Sequence, residues 1–167
     1  MNNPERGVAL FKEGFSCSQA VLAAYGEQFE LKQELALRVA GAFGGGMGRM
    51  GETCGAVTGA IMVLGMKFGS TTAGDLKARE NAYAVVREFI HRFKGRNVST
   101  LCRELLDCDI STPEGMKRAK EEGLIKQACP KFVKDAAEIL DQLLELWRPD
   151  QSSDIRQKTE DSRGQTK

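Results

Sequence analysis

The stretch AFGGGMGRMGETCGAVTG, Ala42 to Gly59, decides between a nucleotide-binding sheet fold and a helical one. Gly46, Gly48 and Gly51 satisfy the G-x-G-x-x-G pattern. That fingerprint cradles a pyrophosphate only between a parallel strand and the helix that follows it. Here Leu31, Leu35, Val39 and Ala42 recur at helical spacing, so a helix precedes the glycines. No Gly-Lys-Ser or Gly-Lys-Thr follows them, which removes the P-loop as well. The glycines therefore end one helix and lead into the next, and no nucleotide is expected. Thr53 is the expected cap of that next helix, placing Cys54 in its first turn. Free N–H groups and the positive end of the helix dipole there favour a thiolate, and Arg49 adds positive charge. The small residues Gly55, Ala56, Gly59 and Ala60 let another helix approach closely.

Working outward, helical periodicity covers almost the whole chain. Leu10, Cys17, Val21 and Ala24 share one face, which predicts an amphipathic helix from Pro4 to about Tyr25. The helix that starts near Cys54 runs to Phe68, with Gly69 as its stop. A fourth helix carries the stripe Leu76, Tyr83, Val86, Ile90 and Phe93, with Lys77, Arg79, Glu80, Arg87, Glu88 and Arg92 on its wet face. A short helix follows at TLCRELLD; then Thr112 caps a helix that opens on Pro113 and Glu114. The last helix is expected to start at Cys129-Pro130 and to bury Phe132, Val133, Ala136, Leu140, Leu143, Leu144 and Trp147. No alternating segment proposes a strand. The expectation is an all-α bundle of about five or six helices, with the glycine-rich loop before a central helix. It forms one domain over residues 1–147, and the charged residues 148–167 are expected to be a disordered tail.

Composition narrows the function classes. A formal net charge of +1 with 28% charged residues provides no basic field for nucleic acid or acidic membranes. The longest apolar run, Cys54 to Met66, is shorter than the ~20 residues of a spanning helix, so no membrane insertion is expected. The N-terminus has no secretory pattern, and a cytoplasmic location is expected. In a reducing compartment the five cysteines, Cys17, Cys54, Cys102, Cys108 and Cys129, do not read as a disulfide framework. Metal binding, redox chemistry or simple burial remain.

No C-x-x-C occurs, which removes the thioredoxin motif, the zinc ribbon and the c-type haem site. Any thiol site must be assembled by the fold. Cys129 stands before Pro130 at the expected cap of the last helix, while Cys17 and Cys102 lie on apolar faces. Cys102 and Cys108 would project about 120° apart on one helix and make a poor local pair. His91, the sole histidine, reads as a surface or structural residue on the flank of the fourth helix. Asp107, Asp109 and Ser111 begin like a calcium loop, but Thr112 and Arg118 stand where the glycine and closing glutamate belong.

GFSCSQAVLAAYGE, GGGMGRMGETCGAVTGAIMVLGMKFG, LCRELLDCDISTPEGMKRAKEEGL and ACPKFVKDAAEIL, in that order, resemble the C_GCAxxG_C_C family of redox-active proteins, from about Gly14 to Leu140. The resemblance assigns the four family cysteines to Cys17, Cys54, Cys102 and Cys129; Cys108 competes for the third place, and the CRELL context favours Cys102. It also implies redox activity, a functional link to transporters, and iron and sulfur over zinc, because some relatives are joined to cytochrome segments. This chain has no C-x-x-C-H and should carry no haem.

Three readings follow. In the first, Cys17, Cys54, Cys102 and Cys129 bind an iron–sulfur cluster or another metal for electron transfer or redox sensing, with an unidentified electron donor or acceptor. In the second, the protein is a metal-free thiol–disulfide oxidoreductase with Cys54 as the reactive thiolate. In the third, it is a non-enzymatic helical interaction module, a homodimer included, with inert buried cysteines.

Overall fold

The architecture is that of a computed structural model, which describes residues 1–147. The predicted tail, 148–167, lies outside the described residues. Eight α-helices follow one another: α1 (Asn3–Lys12), α2 (Cys17–Gly26), α3 (Gln33–Ala40), α4 (Gly55–Phe68), α5 (Leu76–Asn97), α6 (Cys102–Leu105), α7 (Pro113–Glu121) and α8 (Leu124–Leu146). The described residues contain no strand, only an isolated antiparallel bridge between Thr53 and Leu101. The class is all-α, with two or three helices more than the periodicity suggests.

One extra helix comes from the N-terminal segment, which is broken in two. Gly14, at φ 109°, turns the chain, and Ser16 opens α2 with a capping box in which its side chain and that of Gln19 satisfy each other's backbone N–H. Cys17 is thus the first residue of α2 rather than a mid-helix residue. The last helix also starts earlier than expected, at Leu124, so Cys129 and Pro130 lie inside it. Proline there removes one backbone hydrogen bond. Leu124, Ile125 and Ala128, all N-terminal to Pro130, pack on the core.

Helices α2 and α4 form the centre. Residues Ala20 to Tyr25 are all buried, and α4 buries Ala56, Val57, Ala60, Val63 and Leu64 against them. The crossing is tight enough that a Cβ on Gly59 would lie 2.8 Å from the Ser18 carbonyl oxygen. Helices α1, α5 and α8 wrap this pair. Tyr25 Oη lies 2.7 Å from both the Ala137 carbonyl and Asp141 Oδ1, tying α2 to α8 with the single proton it donates. Helix α3 is held by Ser18 Oγ donating to the Ala40 carbonyl at 2.9 Å and Gln19 Nε2 donating to the Leu37 carbonyl at 2.9 Å.

Two predicted faces are rotated. Helix α3 buries Ala36 and Ala40 and leaves Leu35 and Val39 exposed, because small residues suit the close approach to α2. Helix α5 buries Val85, Phe89 and Phe93, and exposes Leu76 and Tyr83. Glu88, assigned to the wet face, is buried with Arg92 Nε donating to it at 2.6 Å.

Candidate functional site

Residues 44–53 make the loop that carries Cys54 to the centre of the molecule. Gly45, Gly46, Met47, Gly48, Arg49 and Gly51 all have φ near +65°. Backbone bonds close the loop on itself, Arg49 N–H to the Gly44 carbonyl at 3.1 Å and Glu52 N–H to the Gly46 carbonyl at 3.1 Å. At Gly46, φ 72°, a Cβ would meet the Glu52 backbone at 2.7 Å and Cys102 Cβ at 2.8 Å. Only glycine tolerates both that angle and that crowding.

The loop then bonds to the segment that enters α6. Cys54 N–H donates to the Thr100 carbonyl at 2.8 Å, and Cys102 N–H to the Glu52 carbonyl at 2.7 Å. Arg103 reinforces the pairing, its guanidinium donating to the Gly51 and Met50 carbonyls and to Glu52. Cys54 and Cys102 are thereby held on two neighbouring segments joined by these backbone bonds. Thr53, the expected cap of α4, is used in this pairing instead, and Cys54 itself occupies the N-cap position.

Cys17, at the start of α2, and Cys129, on α8, complete the group. All four thiols, buried to 8% exposure or less, line one cavity of about 640 Å³. Cys108 does not line it; its thiol donates to the Gly115 carbonyl at 3.2 Å, in the turn between α6 and α7. All five thiols are free. The N-terminus of a helix is thus occupied by Cys17, not by Cys129 as the Cys129-Pro130 pair suggested.

The thiols differ in acidity. Cys17 is held far above the ordinary thiol range by hydrogen bonding to Cys129 and to Cys54, and by burial. Cys54 is lowered, first by its hydrogen bond with Cys17 and then by the Ala56 and Val57 N–H groups at the start of α4, against the opposing effect of burial. Arg49 lines the same cavity, but Cys17 and the two N–H groups account for the lowering. Cys102 is pushed up to about 12 by burial and by the nearby charges of Cys54 and Cys129. The arrangement is one acidic thiol beside a proton-holding thiol, with two more in electrostatic contact.

The remaining wall is apolar, with Phe11, Phe15, Leu106, Ile110 and Phe132 among its residues, and Lys12, Arg49 and Lys126 also line it. Sequence reading placed Arg49 near Cys54 and Phe132 on the buried side of the last helix, but missed the other residues of this wall because α1, the glycine loop and α8 meet only in the fold. The Ser16-x-x-Gln19 box was the one local signal that Cys17 begins a helix.

Among the described residues no three Cys, His, Asp or Glu side chains are placed to hold a single metal ion. No helix among them is long and apolar enough to cross a membrane. No curated protein and no solved structure matches the chain. A family model described as "Putative redox-active protein (C_GCAxxG_C_C)" matches residues 15–143, which include all four cavity cysteines. The chain belongs to the C_GCAxxG_C_C family of redox-active proteins.

Proposed function

We propose that the protein is a thiol–disulfide redox protein in which Cys54 is the attacking thiolate and Cys17 its resolving partner. The observation that carries this reading is the Cys54–Cys17 contact, which favours the thiolate on Cys54 and keeps the proton on Cys17. The close crossing of α2 and α4 supports it, since a Cβ on Gly55, the residue after Cys54, would lie 3.2 Å from Cys17 Cβ. Five free cysteines also suit a reducing compartment, and we assign the chain to the cytoplasm.

In the first step Cys54 Sγ⁻ attacks one sulfur of a substrate disulfide; the substrate S–S bond breaks, and the departing thiolate takes the proton of Cys17. Cys17 Sγ⁻ then attacks Cys54 Sγ in the mixed disulfide and releases the second substrate thiolate, which is protonated from solvent. Two protein thiols are oxidised to one disulfide, and one substrate disulfide is reduced to two thiols. Run backwards, the same steps oxidise a substrate dithiol.

A second reading is favoured by Cys102, a fourth thiol beyond what this exchange needs, on the same cavity as the other three. Four thiols around one space are the donor set of an iron–sulfur cluster, whereas the donor placement does not suit a single zinc ion. Cys17, Cys54, Cys102 and Cys129 would hold such a cluster, which supplies one-electron transfer.

The test is iron and acid-labile sulfide content of protein purified without oxygen, followed by its reaction with 5,5′-dithiobis(2-nitrobenzoate). The thiol reading predicts negligible iron and sulfide and a fast thiol that is lost in Cys54→Ser. Stoichiometric iron and sulfide that disappear in both Cys54→Ser and Cys102→Ser would replace it with the cluster reading.

A further inference from the structure

We propose that the cavity takes a small, mainly apolar disulfide that carries an anionic group; this rests on the thiol reading above. Its volume, about 640 Å³, is that of a small-molecule pocket and far exceeds what an exchange between two thiols requires. The four cysteines are buried, whereas Lys12, Arg49 and Lys126 are exposed, so reactive sulfur lies at the inner end and positive charge at the outer end. The walls include the apolar side chains of Phe11, Phe15, Leu106, Ile110 and Phe132.

The charge at the outer end is unbalanced. No Asp or Glu lines the cavity. Lys12, Arg49 and Lys126 form no ion pair with any other described residue, although elsewhere Arg6 pairs with Glu27 and Arg118 with Glu122. They come from three separate elements, the end of α1, the glycine loop and the first turns of α8. Three unpaired cations converging on an apolar pocket recognise a carboxylate or similar anion at the end of an apolar body. A peptide disulfide in an extended chain would instead need polar backbone partners, which this mainly apolar lining does not offer. The chemistry is the exchange written above: the substrate S–S bond opens, Cys54–Cys17 closes, and the product is the substrate dithiol with its anion retained at the mouth.

Lipoate serves as the probe, because it joins a cyclic disulfide and a carboxylate through a short alkyl chain; lipoamide has the same body without the charge. Binding is measured by calorimetry on the Cys54→Ser protein, which cannot react, and reduction is measured on reduced wild type. Expected are roughly tenfold tighter binding of lipoate than of lipoamide and a matching preference in rate, both lost in a Lys12→Gln, Arg49→Gln, Lys126→Gln variant. The three side chains are exposed, and circular dichroism checks that this variant folds.

Equal binding of the two probes, or binding of neither, overturns the proposal. If bis(2-hydroxyethyl) disulfide is still reduced through Cys54 in that case, the thiol reading survives and only the substrate class falls. A charge-dependent preference in binding with no reduction of any of the three disulfides supports the ligand class and overturns the thiol reading.

Discussion

Cys54 and Cys108 are buried to similar extents, 3% and 6% exposed, and both are free, yet their surroundings differ in kind. Cys54 meets another thiol and two backbone N–H groups that stabilise its charged form. Cys108 meets the Gly115 carbonyl, to which it donates at 3.2 Å. Burial alone therefore does not rank these cysteines; the hydrogen-bond partner does. The cavity region is built to hold a negative sulfur, and the α6–α7 corner to use a thiol as a turn fastener.

The sharpest break between the regions is replacement of each sulfur. Cys54→Ser should lower the rate of exchange with a small disulfide by about 100-fold or more, since serine is not a comparable nucleophile. Cys108→Ser should leave that rate within about twofold, because its hydroxyl can still donate to Gly115. Stopped-flow thiol kinetics read both.

The pH dependence extends the contrast within the cavity. Alkylation of Cys54 should rise through a pKa below the ordinary thiol value and then level off, while Cys102, at about 12, stays slow until strongly alkaline pH. Stability carries the opposite signs. The lowered thiol of Cys54 contributes stability that is present above its unfolded pKa and lost as pH falls through its folded one. The raised thiol of Cys102 contributes stability that is lost as pH rises from the unfolded value of 9.0 toward about 12. Mass-spectrometric labelling across pH and urea titrations at each pH test the two statements.

Glycine replacements break each region separately. Gly46→Ala combines a positive φ with contacts at 2.7 and 2.8 Å and should cost about 3 kcal/mol in urea unfolding, with loss of the fast thiol as Cys54 is displaced. Gly115→Ala, whose Cβ would collide with the Asp109 carbonyl, should cost a similar ~3 kcal/mol but leave the Cys54 rate intact. The smallest effect belongs to Thr112→Ala, which removes the hydroxyl that caps α7 by accepting from Gly115 N–H at 3.0 Å. A loss of ~1 kcal/mol is expected from the same unfolding measurement.

Much of the fold is legible in the order of residues. Periodicity and stop signals locate α4, α5 and α7, and the Thr112-Pro113 start of α7 agrees with its hydrogen bonding. Local signals failed where tertiary packing overrode them. Pro130 reads as a helix start because its missing N–H is harmless there, but the core contacts of Leu124, Ile125 and Ala128 carry α8 through it. Large apolar residues on α3 read as a buried stripe, whereas a close crossing selects the alanines. The meeting of Cys17, Cys54, Cys102 and Cys129 around one cavity was not legible from spacing, since the four come from separate elements; the family resemblance alone grouped them. Of the three cations at the cavity mouth, Arg49 is legible from its nearness to Cys54 in the sequence, whereas Lys12 and Lys126 left no local trace.

The most direct test of the Cys54–Cys17 assignment is peptide mapping of the protein after one equivalent of a small disulfide oxidant, with free thiols trapped by alkylation. The account predicts a single Cys54–Cys17 bridge, with Cys102, Cys108 and Cys129 recovered as alkylated thiols. A bridge that omits Cys54, or oxidation that reaches Cys108 first, would contradict it.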